Sequence, residues 1–402
     1  MLRDRVSLVL AGVFTLFVAA SLSVQLMWAS IKPTADELPS NGFSLESTEP
    51  EEDTDMYRGP PPTYGVLIEA TVPDPPPLIR IETQKESILG LERGKDPFDS
   101  IRGIPAPDLS ELWETFHRER LSEEGEWENG KLGGRKMAYA FYVTSAQYAC
   151  GARVVMRQLR DHGAKAGFLV VYKEQSITEA VIRGLQEDGA VTRAVKALPF
   201  ISRSYYRDAL VKLRIFQQFD YDRLIFMDAD TYANANLDHL FSVQLRGPEL
   251  IAAPWRYYNA PTYTRFMPWL MVVEPREEIW SELERRFLNQ RAVNELQEIL
   301  PSVFDGEILN LAFMGERSLK IPPQYAIINT EWCKDPRRPT SDLHQYFTSR
   351  RATPLDQGIV HFSCWGKPWM HSWEDIDARM IVEPLYSKYR EWYDIASEIG
   401  CH

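Results

Sequence analysis

Two aspartates directly follow the most strongly β-patterned apolar run of the sequence. The run occupies residues 223–227 (RLIFM), and Asp228, Ala229 and Asp230 come after it. In an extended chain, residues i and i+2 point to the same side, so we expect the two carboxylates to converge on one cation. Oxygen ligands of this kind suit Mn2+ or Mg2+. A solvated turn with an Asx cap is the plainer interpretation, and the pair alone does not decide between them.

A histidine and a lysine follow another short apolar run later in the chain. His361 ends that run, and Lys367 comes six residues after it. An imidazole and two carboxylates form a ligand set that Mn2+ accepts, and a lysine supplies a point charge for phosphate. Taken singly, a core histidine and a surface lysine would explain these residues. Their occurrence together with the aspartate pair favours a metal site beside a phosphate.

The elements that must position these residues alternate between strand and helix patterns. Apolar residues at helical spacing fall at 152–159 and 205–219, and Ser176 with Glu179 fits a capping box. Short apolar runs typical of buried strands lie at 138–144, 167–172, 191–195, 223–227, 249–254 and 269–274. This alternation predicts an α/β fold with an open, mainly parallel sheet and helices on both faces. Ligands of such sheets bind at the carboxyl ends of the strands, where Asp228 lies.

The N-terminus carries an uncharged apolar run from Val6 to Ala29, with Arg3 and Arg5 before it. About 20 apolar residues span a bilayer, and flanking positive charge stays in the cytosol. We therefore expect a cytoplasmic tail at 1–5, a transmembrane signal-anchor at 6–30 and a lumenal remainder. A long cleavable signal peptide is the alternative, and it also sends the chain into the secretory pathway.

Composition divides the rest of the chain. Clustered prolines and acidic residues at 31–107 predict an extended stem, with a Pro-rich recognition segment as the alternative. Residues 108–137 should form a helical connector, and 138–402 the catalytic domain. The net charge of −12 argues against nucleic acid as a partner. The four cysteines lack metal-site spacing, so buried free thiols are expected, with one disulfide as the alternative.

Four sequence blocks resemble the glycogenin-like family 8 glycosyltransferases, and most closely their fungal membrane-anchored (type II) branch, which includes N-acetylglucosaminyltransferases. The blocks lie at 142–152 (YVTSAQYACGA), 210–231 (LVKLRIFQQFDYDRLIFMDADT), 304–310 (FDGEILN) and 361–369 (HFSCWGKPW). The resemblance covers about residues 138–385. It implies a GT-A-type nucleotide-sugar-binding domain.

Site residues follow from this resemblance. Asp228, Asp230 and His361 match the family's Mn2+ ligands, and Lys367 matches the lysine that holds the diphosphate. Asp305 matches an acidic residue near the transferred sugar, although a helix N-cap is its plainer interpretation. The resemblance also implies a donor site that contains Val143, Thr144, Tyr148, Lys212, Ala229 and Gly366. The first loop, which contains Val143, Thr144 and Tyr148, is three residues shorter than in glycogenin.

The resemblance implies retaining transfer from a UDP-sugar to a glycan acceptor in the Golgi. We expect N-acetylglucosamine as the transferred sugar, because Gly306 replaces a glutamine and opens space beside Asp305. Three apolar residues replace a polar Asn-Ser-Gly and are candidates for an apolar wall, namely Phe266, Met267 and Trp269. Core packing is their plainer interpretation. The alternatives are glucose or another hexose as donor sugar, a sugar-nucleotide hydrolase, and a non-catalytic lumenal scaffold that binds nucleotide-sugars.

Overall fold

The computed structural model describes residues 89, 109–122, 125–198, 207–257, 265–299, 305–329, 358–363, 366–378 and 385–401. All of them belong to the unit Ile81–His402. The predicted tail and anchor lie outside the described residues, as does the predicted stem apart from Leu89. Within the described ranges, no helix is both long enough and apolar enough to cross a bilayer.

The six predicted apolar runs all contain strands. The strands are β1 (Trp127–Glu128), β2 (Lys131–Leu132), β3 (Arg135–Val143), β4 (Gly167–Lys173), β5 (Ala190–Val195), β6 (Arg223–Met227), β7 (Thr231–Ala233), β8 (Ile251–Pro254), β9 (Leu270–Val273), β10 (Ser318–Ile321), β11 (Ala326–Ile328) and β12 (Ile359–His361). The helices are α1 (Leu109–Arg120), α2 (Ala146–Asp161), α3 (Glu179–Glu187), α4 (Glu277–Arg286), α5 (Gln290–Ile299), α6 (Asp305–Ala312), α7 (Trp373–Ala378) and α8 (Leu385–Glu398).

The main sheet has the order β5-β4-β3-β6-β9-β8-β10, with the β1–β2 hairpin paired to the start of β3. Neighbours from β5 to β6 are parallel, as are β8 and β10. Strand β9 lies antiparallel between β6 and β8. The expected α/β class and parallel strands are confirmed, but the sheet is mixed. An apolar run does not encode its direction, so the antiparallel insertion was not predictable from periodicity.

A small second sheet brings the two site segments together. Strand β12 pairs antiparallel with β7 and parallel with β11, and His361 lies opposite Thr231 in this register. The Phe362 amide donates to the Asp230 carbonyl at 3.0 Å, which extends the pairing by one residue. The end of β12 is thereby held beside the two aspartates, although 130 residues of sequence separate them.

Both faces of the main sheet are covered. Along β3, Tyr139 and Phe141 belong to the core under α2, whereas Ala138 and Ala140 belong to the core under the 3₁₀ segment Arg207–Gln217 and α4. This division follows from the alternation of side chains in a strand. Each fully buried aromatic or aliphatic side chain contributes about 1.5–3 kcal/mol of hydrophobic stabilisation.

Two local expectations need correction. The predicted capping box at Ser176 and Glu179 is wrong, because Thr178 is the N-cap of α3 and its side chain accepts from the Val181 amide at 3.4 Å. The helix predicted at 205–219 is a 3₁₀ segment, Arg207–Gln217, where the structure describes it. The pattern of apolar residues at 152–159 does lie within a helix, α2.

The C-terminal helix α8 forms a third apolar cluster with α2 and the segment after β12. A disulfide joins Cys150 in α2 to Cys401, just beyond α8. Free thiols were expected for the cysteines, and for these two that prediction is wrong. The two positions are 251 residues apart, and no sequence spacing predicts such a pairing. Cys333 and Cys364 lie outside the described residues.

Candidate metal centre

The three predicted metal ligands come together. The Nε2 atom of His361 lies 3.4 Å from Asp230 Oδ1 and 4.0 Å from Asp228 Oδ2. One ligand atom from each residue falls within 4.8 Å of the others. Two carboxylates and one imidazole at this spacing fit a divalent cation such as Mn2+ or Mg2+. A set of this kind leaves further coordination positions to solvent or to phosphate oxygens.

A turn, and not an extended strand, aims the two aspartates. Strand β6 ends at Met227, and residues 229 and 230 form a turn before β7 begins. The Thr231 hydroxyl closes this turn by donating to the Asp228 carbonyl at 2.8 Å. The expected convergence of the carboxylates is observed, but strand alternation is not its cause.

Helix α2 packs directly on this turn because Gly151 has no side chain. A Cβ atom at residue 151 would lie 2.3 Å from the Ala229 carbonyl oxygen and 2.8 Å from the Trp369 ring. Atoms cannot approach that closely, so only glycine permits this contact between helix and turn. Ala229 therefore acts through its backbone, and its side chain is buried.

Two neighbours fix the ring of His361. The indole of Trp269 stacks on it, with ring centroids 4.8 Å apart and planes 19° apart. On the other side, His361 Nδ1 lies 2.8 Å from the Ser363 hydroxyl. If Nδ1 carries the proton and donates to that hydroxyl, Nε2 presents its lone pair to the aspartates, as a metal ligand requires.

Lys367 adds a positive charge to the same group. Its Nζ lies 2.5 Å from Asp230 Oδ2 and donates to the Phe362 carbonyl at 2.5 Å. Burial by itself would raise the pKa of Asp230, but the adjacent His361 and Lys367 lower that pKa well below its usual range. Asp230 is thus ionised and ready to bind a cation.

A second lysine links the metal ligands to Asp305. The buried Lys212 Nζ lies 3.0 Å from Asp228 Oδ1 and 2.6 Å from Asp305 Oδ2. Burial would lower the pKa of Lys212, but the two carboxylates outweigh it and raise that pKa above its ordinary value. Burial raises the pKa of Asp305, which Lys212 opposes. Asp305 is the first residue of α6, so its placement at a helix start and its place in the site coexist.

Three of the predicted donor-site residues, Val143, Thr144 and Tyr148, lie between the end of β3 and the first turn of α2. Tyr148 lies in the first turn of α2, half-buried, and its ring meets that of Trp369 edge-on with centroids 4.9 Å apart. Thr144 is half-buried after β3. The Val143 side chain is fully buried, and the place of these residues in the donor site stays a prediction. Gly366 has a φ of +80°, which favours glycine where the chain enters the Lys367 turn.

The three apolar residues expected to form a wall for an acetamido group do not all lie on the same face of the sheet. Phe266 and Met267 are buried on opposite faces of the sheet, one in each core. The Trp269 indole stacks on the His361 ring. Gly306 is buried beside Asp305, and its carbonyl accepts from Asn310 at 2.9 Å. Core packing, the plainer interpretation of the three apolar residues, is what the structure shows for Phe266 and Met267.

A separate cleft of about 470 Å3 lies away from these residues. Its lining includes Met137 and Arg223, at the starts of β3 and β6, whereas Asp228 follows the end of β6. Arg223 donates to the Phe241 and Val243 carbonyls and pairs with Glu274. The chemistry concentrates at the opposite, carboxyl edge of the sheet, as expected for this type of fold.

Sequence comparison gives fungal and plant relatives. The chain is 24% identical over 269 residues to "Glucose N-acetyltransferase 1" of Gibberella zeae, which covers 62% of this chain and 56% of that protein. It is 32% identical over 153 residues to "Putative UDP-glucuronate:xylan alpha-glucuronosyltransferase 5" of Arabidopsis thaliana, covering 37% and 25%. The chain thus spans about half, or less, of the length of these relatives. No protein-family model matches it.

Solved structures with a similar chain course include the galactosyltransferase LgtC with donor and acceptor sugar analogues, at 15% identity and a TM-score of 0.46. The match covers 65% of this chain and 96% of that one. The glycosyltransferase GlyE of Streptococcus pneumoniae matches at 20% identity and a TM-score of 0.46, covering 65% and 62%. The sequence relatives confirm the resemblance of this chain to the family 8 glycosyltransferases, with fungal proteins among them.

Proposed function

We propose that this protein is a retaining glycosyltransferase of GT-A type that transfers a sugar from a UDP-sugar to a glycan acceptor with the help of Mn2+. The observation that carries the proposal is the convergence of Asp228, Asp230 and His361, with Lys367 on the second aspartate. Glycosyl transfer breaks the bond between the anomeric carbon and a diphosphate oxygen. Negative charge develops on that oxygen, so the site must supply cations there.

The chain's own residues provide three parts of this chemistry. Asp228, Asp230 and His361 would hold the cation, which supplies charge stabilisation for the diphosphate when bound. Lys367 has three N–H donors, of which Asp230 and the Phe362 carbonyl account for two. Within the described part of the chain no acceptor takes the third, which can therefore donate to a phosphate oxygen while the lysine stays on Asp230.

Asp305 is the acidic residue that we place near the transferred sugar. Its ion pair with the buried Lys212 holds it next to Asp228, which ties the sugar end of the site to the metal end. The acceptor hydroxyl forms the new bond to the anomeric carbon as the bond to the diphosphate oxygen breaks, and its proton passes to the diphosphate of the departing UDP. Whether an enzyme carboxylate first bonds to the sugar is a separate question, which trapping of a covalent intermediate addresses.

The proposal is tested with the purified lumenal domain, Mn2+ and a panel of UDP-sugars, by monitoring UDP release with and without glycan acceptors. A transferase releases UDP faster when its acceptor is present. Release of free sugar at the same rate with and without acceptor would instead identify a hydrolase. Absence of UDP binding in the presence of Mn2+ would contradict the proposal as a whole.

We infer N-acetylglucosamine as the transferred sugar. Support comes from the fungal relatives, whose name joins glucose to an N-acetyl group, and from the absence of a side chain at Gly306, next to Asp305. The plant relatives are named for UDP-glucuronate, so sugar choice varies among the relatives. Size discrimination in a pocket is worth only about 1–3 kcal/mol, so glucose is the competing donor sugar.

A direct competition tests the donor. UDP-N-acetylglucosamine should show a higher kcat/KM than UDP-glucose with the same acceptor. Gly306→Gln should reduce that preference by filling the space beside Asp305. A higher kcat/KM for UDP-glucose would overturn the assignment, and an unaltered preference in the variant would overturn the role of Gly306.

We also propose a type II orientation in the Golgi membrane, with the catalytic domain in the lumen. The apolar run Val6–Ala29 with its arginine flank supports it, and so does the Cys150–Cys401 disulfide, because disulfides persist in oxidising compartments. Sealed microsomes should protect the C-terminal domain from added protease. Digestion from outside would contradict the orientation, and a mature chain that begins near Ser30 would contradict only the anchor.

A further inference from the structure

We propose that Tyr393 of α8 is a positioning residue for Lys367, so that the C-terminal helix controls how well the site binds the diphosphate. This inference rests on the proposed function, in which Lys367 contacts the diphosphate. Tyr393 touches neither the metal ligands nor Lys367 Nζ among the described contacts, and it acts through the backbone of the turn that carries the lysine.

The contact is a pair of short hydrogen bonds. The Tyr393 hydroxyl lies 2.5 Å from the Pro368 carbonyl oxygen and 2.6 Å from that of His371. Both partners are acceptors, so the phenol donates its one proton between them. The side chain is buried, where such a bond is not exchanged for one to water. The phenol thus joins the two ends of the turn 368–371.

Two backbone hydrogen bonds stabilise this turn from within, among the described residues. Pro368 has no N–H, and the backbone bonds within the turn run from the Met370 amide to Lys367 and from the His371 amide to Pro368, at 3.0 and 3.3 Å. Gly366 introduces it in a left-handed conformation. A second phenol, that of Tyr389, reaches the Gly366 carbonyl at 3.4 Å. Helix α8 therefore holds this turn on both sides of Lys367.

The helix itself is firmly anchored, so it is a suitable support. Trp392 is fully buried and packs on Trp369 of the turn, with ring centroids 5.9 Å apart. Beyond the helix, Arg153 of α2 donates to the Ile399 carbonyl at 3.0 Å, and Cys401 is bonded to Cys150. A support that is tied to α2 keeps the turn in register with the metal turn, on which α2 also packs.

The three metal ligands lie on other elements. Asp228 and Asp230 follow β6, and His361 ends β12. Loosening the turn should therefore weaken the contact of Lys367 with phosphate and leave the cation site intact. We expect Tyr393→Phe, which removes only the hydroxyl, to weaken UDP binding about tenfold, the size of one net hydrogen bond. Mn2+ binding without nucleotide should be unchanged.

The experiment is calorimetry of the purified full-length protein with Mn2+ alone and with UDP in the presence of Mn2+. Tyr386→Phe is the matched control, because its hydroxyl, on the same helix, donates at 2.7 Å to the exposed Asp377. That control should leave both affinities unchanged. In a Lys367→Ala background, Tyr393→Phe should have no further effect on UDP binding, because the positioned group is gone.

Three results would overturn the inference: unchanged UDP affinity in Tyr393→Phe, equal losses of Mn2+ and UDP affinity, or an undiminished effect in the Lys367→Ala background. If Tyr393→Phe does not fold, Tyr389→Phe tests the same support of the turn, with about a twofold loss of UDP affinity because its bond to Gly366 is longer. Its hydroxyl also accepts from Asn329, which accepts from the Ser363 amide beside His361, so an accompanying equal loss of Mn2+ affinity would count against the inference. Failure of the wild-type protein to bind UDP with Mn2+ would reject the proposed function. Binding by the wild type with no change in the variant would reject only the role of Tyr393.

Discussion

Two polar clusters inside this domain differ in the kind of group that they contain. The metal centre gathers acidic and basic groups, namely Asp228, Asp230, Asp305, Lys212, Lys367 and His361. A second cluster joins α1 to the domain through His117, Tyr325 and His239, with the Tyr325 hydroxyl 2.8 Å from an Nε2 atom of each histidine. The first cluster consists of charged groups. The second is a hydrogen-bonded chain of His117, Tyr325 and His239, which we call the neutral relay.

The neutral relay has a single consistent proton arrangement. The Nδ1 atom of His117 lies 2.7 Å from the Trp113 carbonyl, which can only accept, so Nδ1 carries the proton. Tyr325 then donates to His117 Nε2 and accepts from His239 Nε2. Burial raises the pKa of Tyr325 far above its usual value, and burial together with His117 lowers the pKa of His239 to about 4. Both shifts favour the uncharged forms of Tyr325 and His239 at physiological pH.

The difference indicates which cluster is built for a ligand. Buried charges are costly to desolvate, and a hydrophobic replacement often serves stability equally well. A charged group set kept in place is therefore best explained by binding, whereas a neutral relay meets the needs of a helix contact.

The largest effect is expected from Asp228→Asn. Removing one of the two carboxylate ligands should lower Mn2+-dependent UDP affinity by about 100-fold or more, because the cation loses a charged ligand. Calorimetry measures it. Asp238→Asn is the matched control, since Asp238 is a buried aspartate that accepts from Tyr139 and from the Lys165 amide, outside the site. Unchanged UDP affinity in Asp228→Asn would remove the basis for calling this cluster the binding site.

A smaller but substantial effect is expected on stability from Lys212→Met. Without the ammonium, the buried Asp305 and the half-buried Asp228 are like charges that have lost their shared cation, so the free energy of unfolding should fall by about 3–5 kcal/mol. Lys173→Met is the control, because Lys173 pairs with Asp208 at 2.9 Å near the surface and should contribute about 0–1 kcal/mol. Denaturant unfolding without metal measures the free energy of unfolding of both variants. Equal decreases would contradict the expectation that the ion pairs of Lys212 matter more for stability than the surface pair of Lys173.

In the neutral relay, Tyr325→Phe should lower the free energy of unfolding by about 1–3 kcal/mol, because two half-buried imidazoles lose a partner. UDP affinity with Mn2+ should not change. The same two measurements, denaturant unfolding and calorimetry, give the answer. A loss of UDP affinity would mean that the relay is coupled to the metal centre and that the two clusters are not independent.

The smallest effect concerns pH. A histidine whose pKa is lowered on folding is protonated first in the unfolded chain, so stability is full above its unfolded pKa of about 6.5 and falls as the pH drops towards 4. We expect a loss on the order of 1–2 kcal/mol between pH 7.5 and 5. Carboxylates with lowered pKa, such as Asp220 at about 2 beside Arg193, lose their contribution only below about pH 4. His239→Gln should flatten the slope between pH 6.5 and 4, and an unchanged slope would contradict its assignment to His239.

The sequence predicted the metal centre better than its surroundings. Asp228, Asp230, His361 and Lys367 could be found because their residue types and their positions after apolar runs carry the chemistry. Trp269, Gly151 and Tyr393 could not, since each acts through a contact between distant segments: a stacked ring, a missing side chain and a hydrogen bond to backbone. An unexplained glycine in the middle of an apolar helix was the one available signal for Gly151. The antiparallel β9 and the Cys150–Cys401 pair likewise depend on tertiary topology.

The disulfide also determines which products a single cleavage of the backbone would give. Cys150 and Cys401 close a covalent ring that contains the metal turn, β12 and α8. A single protease cut anywhere inside that ring would open it without releasing a fragment. The nicked protein would migrate as one species on a non-reducing gel and separate into two only after reduction. Limited proteolysis should therefore be analysed on reduced samples. Activity that survives a cut is compatible with two chain segments that the disulfide still joins.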